Sequence, residues 1–209
     1  LLIGPSTASV GDSTNALITG QGGPLSVVMR EIRLPRALLG VLIGGSLGLS
    51  GAAMQGYLRN PLADPGLIGV SGSAALGAVL AIQTGLAAIA ALALPVMALG
   101  GALLGVLLVV LLAGPRGTSL ALILAGIAIS AFAAALTSLV LNLSPNPYAA
   151  NEIVFWMMGS LADRSMTHVW IALPFLLGGG LLLGSLGRGL DALTLGEDAA
   201  EAMGINLLR

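Results

Sequence analysis

Residues 119–143 read SLALILAGIAISAFAAALTSLVLNL, and this stretch decides the class of the fold. It carries no charged side chain. As an α-helix rising 1.5 Å per residue it is longer than the ~30 Å hydrocarbon core of a bilayer. Its apolar residues do not alternate with period two, so it is not the wall of a membrane barrel. Working outward, four further segments are long and mostly apolar: residues 34–57, 67–84, 86–113 and 169–186. The third is long enough to be tilted. Five spans A to E therefore follow one another, and the expected fold is an all-α, polytopic transmembrane helical bundle.

Composition supports the same class. Hydrophobic residues make up 56% of the 209, charged residues 8%, and mean hydropathy is +1.02. A soluble domain carries about 25% charged residues, so most of this surface faces lipid or other apolar helices. The 31 glycines suit helices packed backbone to backbone in a bilayer. Cysteine is absent and histidine occurs once, which excludes a disulfide framework, a thiolate metal site and a histidine cluster. A net charge of −1 gives no reason to expect nucleic acid. None of the spans has an ionisable residue in its core, so a proton relay has no candidate in this part of the chain.

The connections are short: residues 59–65 between A and B, 83–85 between B and C, and 114–117 between C and D. Residues 144–168 join D to E, and 187–209 form a polar tail. The opening apolar scrap and the stop at Arg209 suggest a piece of a longer permease. All eight basic residues are arginine. They divide evenly: Arg59, Arg116, Arg188 and Arg209 on one side, Arg30, Arg33, Arg36 and Arg164 on the other. Three of the second group form one cluster. With that cluster set aside, the positive-inside rule places the A–B loop, the C–D loop and the tail in the cytoplasm.

Three patterns carry candidate functions. The first is Arg30-Glu31-Ile32-Arg33-Leu34-Pro35-Arg36. Pro35 is expected at the start of a helix, where a proline forfeits no hydrogen bond. Arg33 and Arg36 then share a face, either as snorkelling anchors or as a dock for acidic groups, which the guanidinium fork pairs bidentately. The second is Leu193-Thr194-Leu195-Gly196-Glu197-Asp198-Ala199-Ala200-Glu201-Ala202-Met203-Gly204. Thr194 and Glu197 fit a capping box, the acidic pair suits a helix N-terminus, and Gly204 is a natural stop. A two-turn helix results, with Leu195, Ala199, Ala202 and Met203 on one face. It is too short to hold itself together, so it is either a connector or an element awaiting a partner. The third is Gly126, Ser130 and Thr137, which share one face of span D. That face either packs against a neighbouring helix or lines a path.

Together these blocks resemble a known family. Arg33-Leu34-Pro35-Arg36, Ser50-Gly51, Gln55, Arg59-Asn60-Pro61-Leu62-Ala63-Asp64-Pro65, Gly69-Val70-Ser71-Gly72, Leu124-Ala125-Gly126, Phe155-Trp156-Met157-Met158-Gly159-Ser160-Leu161 and the tail are similar, in order, to FecCD-type (BtuC-like) permeases. These are the membrane subunits of type II ABC importers for iron–siderophore, haem or cobalamin. The resemblance implies a ten-span subunit of the bacterial or archaeal inner membrane, of which residues 1–209 would hold spans two to six. It implies a homodimer or pseudo-dimer and a pair of ATPase subunits that bind ATP and magnesium. A substrate-binding protein would dock outside. The chain itself would be no enzyme, with no catalytic residue, cofactor or metal. By position, Arg33 and Arg36 match the outward docking arginines. Leu195, Gly196, Glu197, Asp198, Ala199, Ala202, Met203 and Gly204 match the segment that couples to the ATPase. Thr118 and Ser119 match the cytoplasmic gate region, and span D matches a cavity-lining helix. A secondary carrier with inverted repeats and a non-transporting assembly protein are the rival classes. The first needs intramembrane ion ligands, and the second leaves the arginine pair and the polar stripe without a role.

Overall fold

The computed structural model describes every residue except 1, 3–7, 22, 91, 115–117, 145–146 and 206–209, so Arg116 and Arg209 of the charge count lie outside the described residues. Among the described residues the fold is all-α. In chain order the helices are α1 (Val10–Thr19), α2 (Pro24–Val27), a π-helical turn (Val28–Arg33), α3 (Leu34–Leu58), a 3-10 turn (Pro65–Ile68), α4 (Val70–Gln83), α5 (Leu86–Ile89), α6 (Ala93–Ala113), α7 (Ser119–Asn142), α8 (Pro147–Met157), α9 (Met166–Ser185), α10 (Gly187–Thr194) and α11 (Glu197–Ala202). Contacts divide the chain into two compact units, Leu1–Ser50 with Ser160–Gly187, and Gly51–Gly159 with Arg188–Arg209.

Four described helices are long and apolar enough to cross a membrane: Pro24–Leu58, Ala93–Ala113, Ser119–Asn142 and Met166–Ser185. Spans D and E thus lie within a few residues of their expected limits, and the other three differ. Span A starts ten residues early, because α2, the π turn and α3 run on without a break. The π turn closes with the Leu34 amide donating to the Met29 carbonyl, five residues back. Such a turn relieves the ladder where a proline lacks its N–H. Pro35 is therefore inside a helix and does not begin one.

Span B is shorter than expected. Asp64 accepts a hydrogen bond from the Gly66 amide at 2.7 Å and opens the 3-10 turn, Gly69 takes the left-handed conformation (φ 79°), and α4 begins only at Val70. Its 14 residues rise about 21 Å, less than a bilayer core. Span C is not one helix. Ala90 is extended (φ −132°, ψ 119°), α5 ends there, and α6 restarts at Ala93. Pro95 is the signal for the restart: it sits in the first turn of α6, where a missing N–H does no harm.

The second unit is built on α4, α6 and α7. α4 and α6 approach so closely that a Cβ on Gly77 would strike the Met97 carbonyl, and one on Gly101 the Ser73 carbonyl. Two apolar clusters close the ends of this layer. At one end Val79, Ile82 and Ile153 pack with Leu94, Val140 and Trp156. At the other Val109, Ala125 and Ile129 pack with Ile68, Leu108 and Leu122. Trp156 is thus part of a core, whereas Trp170 is 65% exposed. In the first unit α3 and α9 flank an apolar cleft of about 200 Å³ lined by Val41, Leu42, Gly45, Leu49, Leu176 and Gly180, among others. The single histidine, His168, caps α9: its Nδ1 accepts from the Ser165 amide at 3.2 Å.

Candidate functional site

The arginine segment lies in the first unit. Met29 is fully buried at its base, and the π turn above it carries Arg30 and Arg33. Arg36 follows one residue after Pro35. Arg36 is exposed and Arg33 half-buried. Arg30 is used differently. Its Nε donates to the Leu17 carbonyl at 2.9 Å and its Nη2 to the Ile18 carbonyl at 3.0 Å. These are carbonyls of the last turn of α1, which a helix leaves without partners of its own. The sequence reading grouped the three arginines. The fold sets Arg30 apart by its partners, since its guanidinium is spent on carbonyls of α1, while Arg30 and Arg36 are both exposed.

The second unit gathers several segments at one end. The end of α3, the 3-10 turn and the start of α7 surround an apolar cavity of about 50 Å³ lined by Met54, Tyr57, Leu58, Leu67, Ile68, Leu122 and Ile123. Within the A–B loop, Asn60 Oδ1 accepts from the Leu62 amide at 3.0 Å. Thr118 caps α7, its Oγ1 accepting from the Ala121 amide at 3.2 Å, and Ser119 is the first residue of that helix. α10 reaches the same end, because a Cβ on Gly56 would lie 3.7 Å from the Leu190 Cβ. The A–B loop, the Thr118–Ser119 step and the tail, separate in sequence, are therefore neighbours at one end of this unit.

The tail folds as two short helices. Gly196, with φ 112°, precedes α11 and makes no side-chain cap. Thr194, the expected cap, instead closes α10 by donating its hydroxyl to the Asp191 carbonyl at 2.6 Å. The stop is as expected. Gly204 is left-handed (φ 79°), its amide donates to the Glu201 carbonyl at 2.9 Å, and the Ile205 amide donates to the Ala200 carbonyl at 3.0 Å. This pair of bonds is a Schellman motif. Ala200 and Ala192 are buried and seat the two helices. Leu195 (71% exposed), Met203 (55%) and Ala202 face out, with Ala199 half-buried. Asp198 and Glu201 are also exposed. Sequence reasoning missed Ala200, since one alanine among four carries no mark of which faces inward.

The face of α7 that bears Gly126, Ser130 and Thr137 is a packing face in this unit. A Cβ on Gly126 would lie 2.8 Å from the Ile68 Cα, and one on Gly72 of α4 would lie 3.8 Å from the Ser130 Cα. Thr137 is buried and its hydroxyl donates to the Ala133 carbonyl at 2.9 Å. At the far end of α4, the Ser144 hydroxyl donates to Gln83 Oε1 at 3.0 Å. Among the described residues no cluster of acidic or histidine side chains could hold a metal.

Comparison with known proteins gives the following likenesses. The profile of the FecCD transport family matches residues 1–209. The uncharacterized ABC transporter permease YvrB of Bacillus subtilis is 38% identical over 185 residues, which are 86% of this chain and 52% of that protein. The cobalamin import system permease BtuC of Halobacterium salinarum is 37% identical, over 88% of this chain and 49% of its own. The ferric enterobactin permease FepD of Escherichia coli is 41% identical, over 91% and 57%. A solved metal-chelate type ABC transporter, in an inward-facing conformation, superposes with a TM-score of 0.82 at 32% identity, covering 95% of this chain and 65% of that one. The chain spans about half the length of the curated relatives it matches.

Proposed function

The chain belongs to the FecCD transport family, and on that premise we propose that it is part of the permease subunit of an ATP-driven importer for a metal chelate. The cargo class is cobalamin, haem or an iron–siderophore. The subunit resides in a bacterial or archaeal cytoplasmic membrane and works with a second permease copy. ATP and magnesium belong to a separate pair of ATPase subunits, and this chain contributes no catalytic group.

The observation that carries this reading is the gathering at one end of the second unit. Short helix α11, seated by Ala200, and the residues that flank it present Leu195, Ala202 and Met203 outward. The A–B loop and the Thr118–Ser119 step lie at the same end. An ATPase that grips α11 would pull on the start of α7 and the 3-10 turn together. In this proposal residues 195–204 are the coupling element and Thr118 and Ser119 are gate residues. Gly126, Ser130 and Thr137 serve the path by setting the position of α7 against α4. Arg36, with Arg33 beside it, receives acidic groups of a substrate-binding protein.

Reconstitution tests the proposal. The full-length permease is purified with its ATPase, placed in liposomes, and assayed for hydrolysis on adding substrate-loaded binding protein. Stimulated hydrolysis that is lost with Arg33→Glu/Arg36→Glu supports it. A permease that retains no ATPase through purification, yet still transports, refutes it.

A further inference from the structure

We infer that Arg30 is a positioning residue: it holds α1 in place beside the arginines that receive the binding protein. The inference rests on the docking role proposed for Arg33 and Arg36. α1 has ten residues and no basic side chain in its last turn. A helix of that length does not persist alone in water. Its final carbonyls need donors, and its C-terminal dipole favours a cation. Arg30, from more than ten residues further along the chain, supplies both. Nε and Nη2 take the Leu17 and Ile18 carbonyls, and the Ser26 hydroxyl takes the Gly20 carbonyl at 2.9 Å.

Gly20 completes the clasp. Its φ is +73°, and a Cβ there would lie 2.5 Å from Arg30 Nη1 and 3.1 Å from Cζ. The position is thus open to glycine on two counts, backbone conformation and room for the guanidinium. Arg30 sits on the same π turn as Arg33, so the clasp ties α1 directly to the segment that leads to Arg36. Ile18, whose carbonyl is held, remains 71% exposed, and Ile32 on the π turn is 47% exposed. With α1 fixed, a partner meets an ordered surface of charged and apolar groups. Without the clasp it would have to order α1 on binding, which weakens association.

The test separates position from charge. In a cysteine-free full-length permease, nitroxides at Asn15→Cys and Val27→Cys, both exposed sites, report by pulsed electron paramagnetic resonance the distance from α1 to the end of α2, one residue before the π turn. Affinity for the purified cognate binding protein is measured on the same samples. The parent is expected to show one narrow distance. Arg30→Gln and Gly20→Ala should both broaden it and weaken docking about tenfold, although Gly20→Ala changes no charge. Loss of affinity in Arg30→Gln alone would show that Arg30 acts only as a charge and overturn the inference. So would a broadened distance with unchanged affinity, or a narrow distance in both variants. Failure of Arg33→Glu/Arg36→Glu to weaken docking would instead remove the docking reading itself.

Discussion

Truncating the outward face of the tail gives the most direct measure of coupling. The perturbation is Leu195→Ala with Met203→Ala. Fully burying a leucine or methionine side chain is worth about 2 kcal/mol. Leu195 is 71% and Met203 55% exposed, so each has more than half of that contribution still available to a partner. Alanine retains the Cβ, which leaves about 2 kcal/mol to be lost by the pair, roughly thirtyfold in Kd. Both side chains lie mostly outside the fold, and α11 is seated through Ala200 and closed by its Schellman bonds. The variant should therefore insert normally and show the parent's melting temperature in detergent. The assay is titration of the purified ATPase against permease in nanodiscs, read by fluorescence anisotropy. Binding weakened by less than about twofold, in a properly folded variant, would refute the reasoning and leave α11 a passive connector.

Other outcomes follow from the same geometry. Cysteines at Asn60 and Asn151 lie at opposite ends of the second unit, and an impermeant reagent added outside intact cells should label only position 151; labelling at 60 would reverse the orientation. Gly101→Leu drives a side chain into the Ser73 carbonyl and should lower detergent stability by several kcal/mol, comparable to forced overpacking at a core site. A melting temperature within a degree of the parent would contradict the close approach of α4 and α6. Thr118→Ala removes the cap of α7 and should cost about 1 kcal/mol, with Thr118→Ser restoring most of it. Equal stability of the two variants would show that the hydroxyl contributes nothing to the cap.

Legibility in the sequence followed the punctuation. Span D could be placed because proline and glycine bound its apolar run on both sides, at residues 114–117 and 144–147. Span C could not be divided by hydropathy, since every residue from 86 to 94 is apolar or small; Pro95 marked the restart, but a proline in a long apolar run also reads as a tolerated kink. The tail shows the limit of a motif. Thr194 and Glu197 have the spacing of a capping box, yet Gly196 breaks the chain between them and leaves Thr194 in the preceding helix. Arg30, Arg33 and Arg36 are alike in composition, and only the path of α1 distinguishes the first. The packing face of α7 was legible as a stripe of small and polar residues; its neighbour was not, because a face does not name what covers it.

The short α4 has a consequence for biogenesis. At about 21 Å it cannot reach both headgroup layers by itself, and its glycine face offers bare backbone where a lipid chain would make poor contact. That face is covered by α6, which is synthesised later. α4 is therefore expected to leave the insertion machinery without a settled place and to acquire one only when α6 arrives. A reporter fused after Gly85 should give mixed topology, and one fused after Gly114 a single topology. With Gly101→Leu the mixture should persist in the longer fusion as well; a single topology for the shorter fusion would show that α4 needs no helper.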